Sequence, residues 1–508
     1  MAGSASPSQP LPVAAPSGSA VPPQAQAMRW RQPTPTQLVV ALTLLGGILR
    51  FATLNVSSIE LDESATLILV HRGFGGMLSH LTRSESTPPL YYILVWAWTN
   101  VFGAGVVGFR SLSALIGTLT IPVMYLAGRQ ISPRIGVWAA VLTAVNPSMY
   151  FFSQEARTYG LLVLFSAAAF VAWQRALQDP RPRRLALWAL LSSLAVLAHY
   201  FAAFLFISEA VVLARRIGWR RTWAPVGAVG LVGVALVPLA ASQRADGKTS
   251  WIEELTLPRR VAESIKMFTV GVYGPLVLFA LVVAVLIYMG AVMLIVRHGS
   301  ERERGGARDT AMVAGGAIAL PLVLAATHLV DVYDGRNVLA FWVPFAVLLA
   351  TGLGTAGARR SGALLGVALV AISLAMIASA NLIPDYRRDN WRGAAHALAK
   401  PSTARLIVAE AHAALPLSIY MGPLHTVTGR PPAVRELDFV ALRHLRTVGP
   451  PQAAVVPSSP PPGFRLAAVT RTEAFAIAHF VATQPTAPSV AQLANLSGQS
   501  GAEVILQR

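Results

Sequence analysis

Three acidic residues stand close together in the stretch 57–69, "SSIELDESATLIL": Glu60, Asp62 and Glu63. They follow an apolar run in a chain whose formal net charge is +18. A carboxylate can take a proton from a hydroxyl group as that oxygen reacts. Because Asp62 and Glu63 are adjacent, their side chains diverge by about 100° on a helix and point to opposite faces of an extended chain. One of them can face a cavity while the other orients the loop, and the alternative is that both are solvated loop acids.

Three later stretches carry charged residues that could join the same chemistry. They are "YFFSQEARTYGLL" with Glu155 and Arg157, "LAHYFAAF" with His199 and Tyr200, and "HLVDVYDGRNVLAF" with Asp334 and Arg336. A guanidinium group is suited to bidentate recognition of phosphate. The alternatives are that Glu155 and Arg157 anchor helix ends, and that His199 is a satisfied interfacial residue.

The composition predicts a polytopic membrane protein. Of the 508 residues, 54% are hydrophobic and only 13% are charged, and the mean hydropathy is +0.55. Several apolar runs approach the roughly 20 residues that a helix needs to cross a bilayer. The arginines lie in short clusters between these runs and not on one basic face, which argues against nucleic-acid binding. The chain has no cysteine, so disulfides, thiolate catalysis and Cys-ligated metal sites are excluded.

Residues 1–28 are interpreted as a disordered cytoplasmic tail, because they are rich in Pro, Ala and Ser and carry no charge. They are not a signal peptide, since no basic region precedes an apolar core. Arg29 and Arg31 place this end of the chain in the cytoplasm by the positive-inside rule.

Residues 29–383 are expected to form a transmembrane domain with about eleven crossings. The predicted spans are 37–54, 110–127, 135–152, 158–174, 185–199, 201–214, 223–241, 271–296, 311–330, 336–356 and 361–380. Five arginine-rich connections, which contain Arg129, Arg175, Arg215, Arg297 and Arg359, are assigned to the cytoplasmic side.

One further apolar segment, 89–104, must not cross if the N-terminus and the Arg129 connection are both inside. It is short, begins at the Pro88-Pro89 pair and is rich in Tyr and Trp, as interfacial helices are. The first outer loop then runs from 55 to 109. The alternative is that 89–104 spans the membrane and that one short helix near 185–214 is re-entrant.

The same orientation places the acidic stretches and residues 384–508 outside the cytoplasm. Residues 384–508 have only short apolar segments, separated by Pro and Gly, so we predict a small soluble α/β domain. A site built from these stretches is therefore expected on the extracytoplasmic face of the plasma membrane.

The order of the motifs resembles that of GT-C glycosyltransferases of the protein-mannosyltransferase-like family 39, a superfamily that includes the bacterial aminoarabinose transferases. The resemblance covers about residues 37–400. The motifs are the acidic "DE" of the first outer loop, "TPPLYY", "FRSLSALIGTLTIPVMYLAGR", "NPSMYFFSQEARTYGL", "AHYFAAF", "DGRNVLAFWVPFAVLLA" and "DNWRGAA".

This resemblance implies an all-α membrane fold and an enzyme that transfers a sugar, with inversion, from a polyprenyl-phosphate donor. The acceptor would be a hydroxyl group of a glycan, a lipid or a protein. Asp62 matches the catalytic acid of the first outer loop and Glu63 the second acid, whereas Glu60 is expected to be a bystander. Contacts to the donor phosphate or sugar are expected from Glu155, Arg157, His199, Tyr200, Asp334 and Arg336.

Two departures from the family pattern affect these expectations. The aminoarabinose transferases have a lysine where this chain has Thr87, so a phosphate contact is missing or comes from an arginine. The oligosaccharyltransferase relatives bind a divalent metal, and the need for one is left open here, with no other cofactor required.

Two rival functions come from other classes. A transporter or flippase for lipids or lipid-linked sugars should carry ionisable residues near the midplane, often in two related halves, and neither feature is evident. A non-catalytic subunit whose outer domain binds a partner would leave the one-sided acids and arginines unexplained.

Overall fold

The structure is a computed structural model of the chain. It describes residue 3 and residues 33–245, 252, 255–387, 389–398, 400–401, 403–443, 453–498 and 501–508. Apart from Gly3, the predicted tail 1–28 lies outside the described residues. Pro35–Arg508 form one compact unit.

The regular elements within the described residues 33–245 are all helices. Its helices are α1 (Pro35–Phe51), α2 (Leu61–Val70), α3 (Gly73–Ser84), α4 (Leu90–Phe102), α5 (Val106–Arg129), α6 (Pro133–Val145), α7 (Pro147–Phe152), α8 (Tyr159–Gln178), α9 (Pro182–Ala198), α10 (Ala202–Ile217) and α11 (Trp219–Ala245). The three helices α2, α3 and α4 lie within the predicted first outer loop.

The next part contains α12 (Leu257–Val270), α13 (Val277–His298), α14 (Glu301–Ala326), α15 (Trp342–Gly354) and α16 (Arg359–Leu382). In the described part of the chain, α5, α8, α11, α13, α14 and α16 are long and apolar enough to cross a membrane, and α1, α4, α6 and α15 are shorter apolar helices. The predicted spans therefore coincide with helices in the expected order. The number of eleven crossings stays a prediction.

The expected continuous helix over 135–152 is instead two helices with a break at Asn146. Asn146 Oδ1 accepts hydrogen bonds from the backbone N–H groups of Ser148 and Met149, which caps α7. The fully buried Arg50 of α1 donates to the carbonyl oxygens of Thr143 and Ala144 at 3.0 and 3.1 Å. These bonds satisfy carbonyls that the end of α6 leaves without a helical partner. The break turns the chain so that α7 leads into the charged stretch 153–158.

A second difference is α12, which lies where an outer loop was expected. The predicted span 271–296 accordingly begins later, at Val277. α12 ends at Gly271, whose φ of +90° suits glycine, and a Cβ atom there would lie 2.6 Å from Pro147 Cβ. The end of α12 thus sits directly against the start of α7.

The tail has the predicted α/β architecture. Its elements are α17 (Trp391–Leu398), β1 (Arg405–Ala409), α18 (Ala414–Met421), β2 (His425–Thr426), β3 (Val434–Leu442), β4 (Arg465–Arg471), β5 (Phe475–Thr486), α19 (Val490–Ser497) and β6 (Glu503–Gln507). The strand order is β2-β6-β1-β3-β5-β4, and β1 and β3 are parallel.

The two faces of this sheet bury alternate residues of each strand. Leu406 and Val408 pack on the side of α19, whereas Ile407 and Ala409 pack on the side of α17 and α18. The tail therefore has helices on both faces of its sheet and a hydrophobic core on each side.

A buried charge cluster within the sheet predicts a pH dependence of stability. Asp438 accepts from His479 Nδ1 at 2.7 Å and from Arg405 at 3.1 Å, and the hydrogen bond from Asp438 raises the pKa of His479. A raised folded-state pKa stabilises the fold fully below the unfolded value of about 6.5, and this contribution is lost as the pH rises through the folded pKa. We expect the melting temperature to fall over this window in the wild type, by roughly a few degrees, and less in His479→Gln. Thermal unfolding of both proteins in detergent at a series of pH values measures this, and equal slopes would contradict it.

Candidate active site

Glu63 is held in a buried ion pair at the first turn of α2. Arg110 of α5 donates from Nε to Glu63 Oε1 at 2.8 Å and from Nη2 to Oε2 at 2.5 Å. Glu63 also accepts from the backbone N–H groups of Ala156, at 2.9 Å, and Glu60, at 3.3 Å. All acceptor positions of this carboxylate are directed at the protein, so Glu63 fixes α2 relative to α5 and to the stretch 153–158.

Glu85 and Arg157 form a second buried pair. Arg157 Nη1 donates to Glu85 Oε2 at 2.7 Å and to Thr66 Oγ1 at 2.9 Å. Tyr92 donates to the same Glu85 oxygen at 2.7 Å. Burial opposes the charge of Arg157, but Glu85 and the other nearby acids outweigh it and raise the pKa of this guanidinium. Arg157 is therefore a permanent cation, and its buried Nε has no hydrogen-bond partner among the residues that the structure describes.

The carboxylate of Asp62 belongs to neither of these two pairs and contacts Arg336 instead. Arg336 Nη1 donates to Asp62 Oδ2 at 3.2 Å, and its Nε and backbone N–H donate to Asp334 Oδ1 at 3.3 and 3.0 Å. The guanidinium of Arg157 also reaches the backbone carbonyl of Asp62 at 3.3 Å. Two cations thus contact Asp62 at the first turn of α2, Arg336 at its carboxylate and Arg157 at its backbone carbonyl.

The side chains of Asp62, Glu63 and Glu85 differ in how far they are exposed to solvent. The Asp62 side chain is 42% exposed, whereas those of Glu63 and Glu85 are each 1% exposed. A group that exchanges a proton with a substrate must be reachable. Among these three carboxylates, only Asp62 is.

The loop that carries Arg336 is fixed by α12. Arg260 donates from Nη1 and Nη2 to the two carboxylate oxygens of Asp331, at 2.6 and 2.9 Å, and to the carbonyl of Tyr333 at 2.9 Å. This hydrogen bonding lowers the pKa of Asp331. A bidentate pair of this kind holds the loop geometrically, and so positions Arg336 opposite Asp62.

The remaining predicted residues are Glu155, His199 and Tyr200, and they differ in their contacts. His199 and Glu155 are buried beside Tyr159, and both lie within electrostatic range of Arg336. His199 Nδ1 accepts from the N–H of Phe201 at 3.3 Å, and its buried Nε2 has no partner within the described part of the chain. The hydroxyl of Tyr200 donates to Gln243 of α11 at 2.8 Å. Tyr200 is thus held against α11.

A cavity of about 250 Å³ opens beside Arg336. Its lining includes Asp334, Lys266, Arg259, Glu263, Phe151 and Tyr273. Burial lowers the pKa of Lys266 to about 8, with Glu263 opposing this shift. With three cationic side chains against two acids, the cavity is suited to an anionic group, and its aromatic residues provide apolar walls.

Among the residues that the structure describes, no three His, Asp or Glu side chains are grouped so that they could hold a metal ion. Glu63, Glu85 and Asp62 are instead paired with Arg110, Arg157 and Arg336.

Several residues of this site were not predicted as such from the sequence: Glu85, Arg110 and Arg260. Arg110 could have been found, because it lies in a quoted motif and starts an apolar run on the expected outer side, against the positive-inside trend. Glu85 lies two residues before the quoted "TPPLYY" motif, within the expected outer loop. Arg260 gave no such sign. Thr87, at the position of the relatives' lysine, shares a hydrogen bond of 2.8 Å with Tyr92.

Comparison with solved structures identifies the architecture. The chain superposes on ArnT from Cupriavidus metallidurans in the apo state with a TM-score of 0.53 at 12% identity, over 87% of this chain and 98% of that one. The same enzyme bound to undecaprenyl phosphate gives a TM-score of 0.53 and 12% identity, over 88% of this chain and 98% of that one. The chain has the GT-C fold. The helical part is thus a GT-C domain with a small α/β domain after it, as the sequence predicted.

Two further comparisons concern the GT-C domain. Residues 86–242 match the family model described as dolichyl-phosphate-mannose-protein mannosyltransferase. The Archaeoglobus fulgidus oligosaccharyltransferase, tethered to an acceptor peptide, gives a TM-score of 0.43 at 13% identity, over 72% of this chain and 57% of that one. Curated protein sequences give no significant match.

Proposed function

We propose that the protein transfers a sugar from a polyprenyl-phosphate donor to a hydroxyl group on the extracytoplasmic side of the plasma membrane, with inversion at the anomeric carbon. The observation that carries this proposal is the position of Asp62 at the start of α2, where its exposed carboxylate contacts Arg336 and its backbone carbonyl contacts Arg157. The GT-C fold and the ArnT complex with undecaprenyl phosphate support a lipid-linked donor. A glycan, a lipid or a protein can each supply the hydroxyl.

Asp62 acts as the general base in this proposal. The acceptor oxygen attacks the anomeric carbon and forms the new glycosidic bond. The bond from that carbon to the phosphate oxygen breaks on the opposite face, and its electron pair leaves with the polyprenyl phosphate. The hydroxyl proton passes to the Asp62 carboxylate, which becomes a competent base as the forming bond acidifies the hydroxyl.

Arg336 and Arg157 supply the electrostatic part of the mechanism. Charge builds up on the departing phosphate, and preorganised cations stabilise it without reorganisation. Arg336 contacts Asp62 and also lines the cavity of about 250 Å³, so a phosphate in that cavity would contact a guanidinium. In this scheme His199, Glu155 and Asp334 shape the donor side of the site, and Glu63 is a positioning residue.

The direct test uses purified protein in proteoliposomes with radiolabelled polyprenyl-phosphate sugars and a mixture of cell-envelope acceptors. A transferase yields a new labelled glycoside and unlabelled polyprenyl phosphate. A lipid or lipid-linked-sugar flippase would move the labelled donor across the bilayer with no new glycoside, and that outcome would overturn the proposal.

Replacement of Arg336 tests the contact with the donor. Because a hydrogen bond to a charged group contributes about 1.5–3 kcal/mol, Arg336→Ala is expected to raise the KM for the donor roughly 10- to 100-fold. Arg336→Lys should lie between this variant and the wild type, since lysine keeps the charge but not the planar fork. Initial rates over a range of donor concentrations measure this.

The matched control is Arg184→Ala, which removes an arginine in the first turn of α9 that pairs with Asp179, the residue after the last residue of α8. It should keep the wild-type KM. A donor dependence of Arg336→Ala equal to that of the wild type would count against a phosphate contact.

A further inference from the structure

The segment that leads into α2, residues 55–60, is tied to the tail domain by side-chain hydrogen bonds. Tyr420 of α18 accepts from the backbone N–H of Ile59 at 2.8 Å. Arg392 of α17 donates to the backbone carbonyl of Asn55 at 3.0 Å and to its Oδ1 at 2.8 Å, and its backbone N–H donates to Ser58 Oγ at 3.0 Å. Three residues of this segment, Asn55, Ser58 and Ile59, are therefore held from the tail domain.

Arg392 and Tyr420 of the tail domain also contact each other. The Arg392 guanidinium lies 5.7 Å from the centre of the Tyr420 ring, in a cation–π arrangement. Ile59 is fully buried, and Ile419 and Tyr420 pack against the cluster that contains it. The contact thus combines an apolar interface with directed hydrogen bonds, which fixes both distance and orientation.

This segment also determines where Asp62 lies. Ile59 is three residues before Asp62, and the backbone of Glu60 makes the first α2 hydrogen bond, to the N–H of Ser64, at 2.8 Å. On the opposite side, Arg110 donates to the carbonyls of Leu54, Ser57 and Ser58 at 2.7–2.9 Å. The segment is therefore clamped between α5 and the tail domain, and release of one side would let the first turn of α2 shift.

We propose that Tyr420 and Arg392 are positioning residues for Asp62, so that the tail domain completes the active site. They touch neither the substrate nor Asp62, and act through residues 55–60. A displacement of about 1 Å at a reacting group can cost about 100-fold in rate, so a clamp of this kind matters for turnover even where it adds little to overall stability. The kinetic part of the proposal rests on the proposed glycosyl transfer, whereas the mechanical part does not.

Tyr420→Phe tests the clamp with the smallest change. It keeps the ring, its packing and its contact with Arg392, but leaves the buried N–H of Ile59 without its acceptor. We expect kcat to fall roughly tenfold with an unchanged KM for the donor and a melting temperature close to that of the wild type. Arg392→Ala should give a similar fall and Arg392→Lys a smaller one, because lysine retains a donor but not the fork that reaches Asn55 twice.

Hydrogen–deuterium exchange of the full-length protein in nanodiscs provides a readout that needs no substrate. The amides of residues 55–60 and of the first turn of α2 should exchange faster in Tyr420→Phe and Arg392→Ala. The control Arg471→Ala, on the exposed strand β4, should match the wild type in exchange and in kcat.

The outcomes separate this proposal from the proposed function. Unchanged exchange in residues 55–60, or a loss of kcat that simply follows a loss of folded protein, would overturn the positioning role. Faster exchange confined to this segment, in a protein whose wild type transfers no sugar, would support the clamp and remove the glycosyltransferase proposal.

Discussion

Asp62→Asn is expected to lower kcat for sugar transfer by at least about 100-fold, because a positioned general base contributes roughly 10²–10⁴-fold. The amide has nearly the same shape and can still accept the hydrogen bond from Arg336, so the site should keep its geometry. What it loses is the ability to take the acceptor proton at neutral pH. Transfer from a polyprenyl-phosphate sugar under saturating donor, with folding monitored by thermal unfolding, measures this.

Two variants make this result interpretable. Asp179→Asn changes an acid at the C-terminal end of α8, and the site lies at the N-terminal end of this helix. The 20 residues of α8 span about 30 Å, so this variant should retain full turnover. Asp62→Glu keeps the carboxylate but moves it by one methylene, so partial activity is expected. Turnover of Asp62→Asn equal to that of the wild type would remove Asp62 from the role of base.

Arg110→Ala is expected to destabilise the fold by about 3–5 kcal/mol, because it leaves the buried Glu63 carboxylate without its cation. The same change orphans the carbonyls of Leu54, Ser57 and Ser58. Unfolding of the purified protein in mixed micelles, followed as a function of denaturing detergent, measures the loss in the free energy of unfolding.

A double-mutant cycle separates the interaction energy of the Arg110–Glu63 ion pair from the effect of changing either side chain alone. Arg110→Met combined with Glu63→Gln removes both charges, and should be less destabilised than the sum of the two single variants. Arg216→Ala removes an arginine from the more exposed pair with Asp309, and should cost less than about 1 kcal/mol. A cost of Arg110→Ala in that same small range would contradict a buried, tightly coupled pair.

The sequence predicts the helical order, the α/β tail and the stretches that meet around Asp62, because each depends on local composition and periodicity. Residues 150–162 and 328–341 were quoted as separate motifs, and the structure brings Arg157 and Arg336 into contact with Asp62. The adjacency of Asp62 and Glu63 predicted that their side chains diverge, and in the structure they contact different arginines.

The partners of the buried acids could not be predicted in the same way. Glu63 meets Arg110 47 residues later, and Glu85 meets Arg157 72 residues later. Such pairs follow from how helices cross and not from any local spacing. The helix α12 was missed for a related reason, since its charged face, which includes Arg259, Arg260 and Glu263, has the composition of a loop until Asp331 is placed against it.

The contacts of residues 55–60 with the tail domain also bear on the order in which the site assembles during synthesis. Ile59 bonds to a residue 361 positions later in the chain. At roughly 5–20 residues per second, the ribosome reaches Tyr420 about 20–70 s after Ile59. Arg336, which contacts Asp62, comes 274 positions after it. Residues 55–62 are therefore synthesised long before Arg336 and Tyr420 exist, and the site can assemble only after most of the chain has been made.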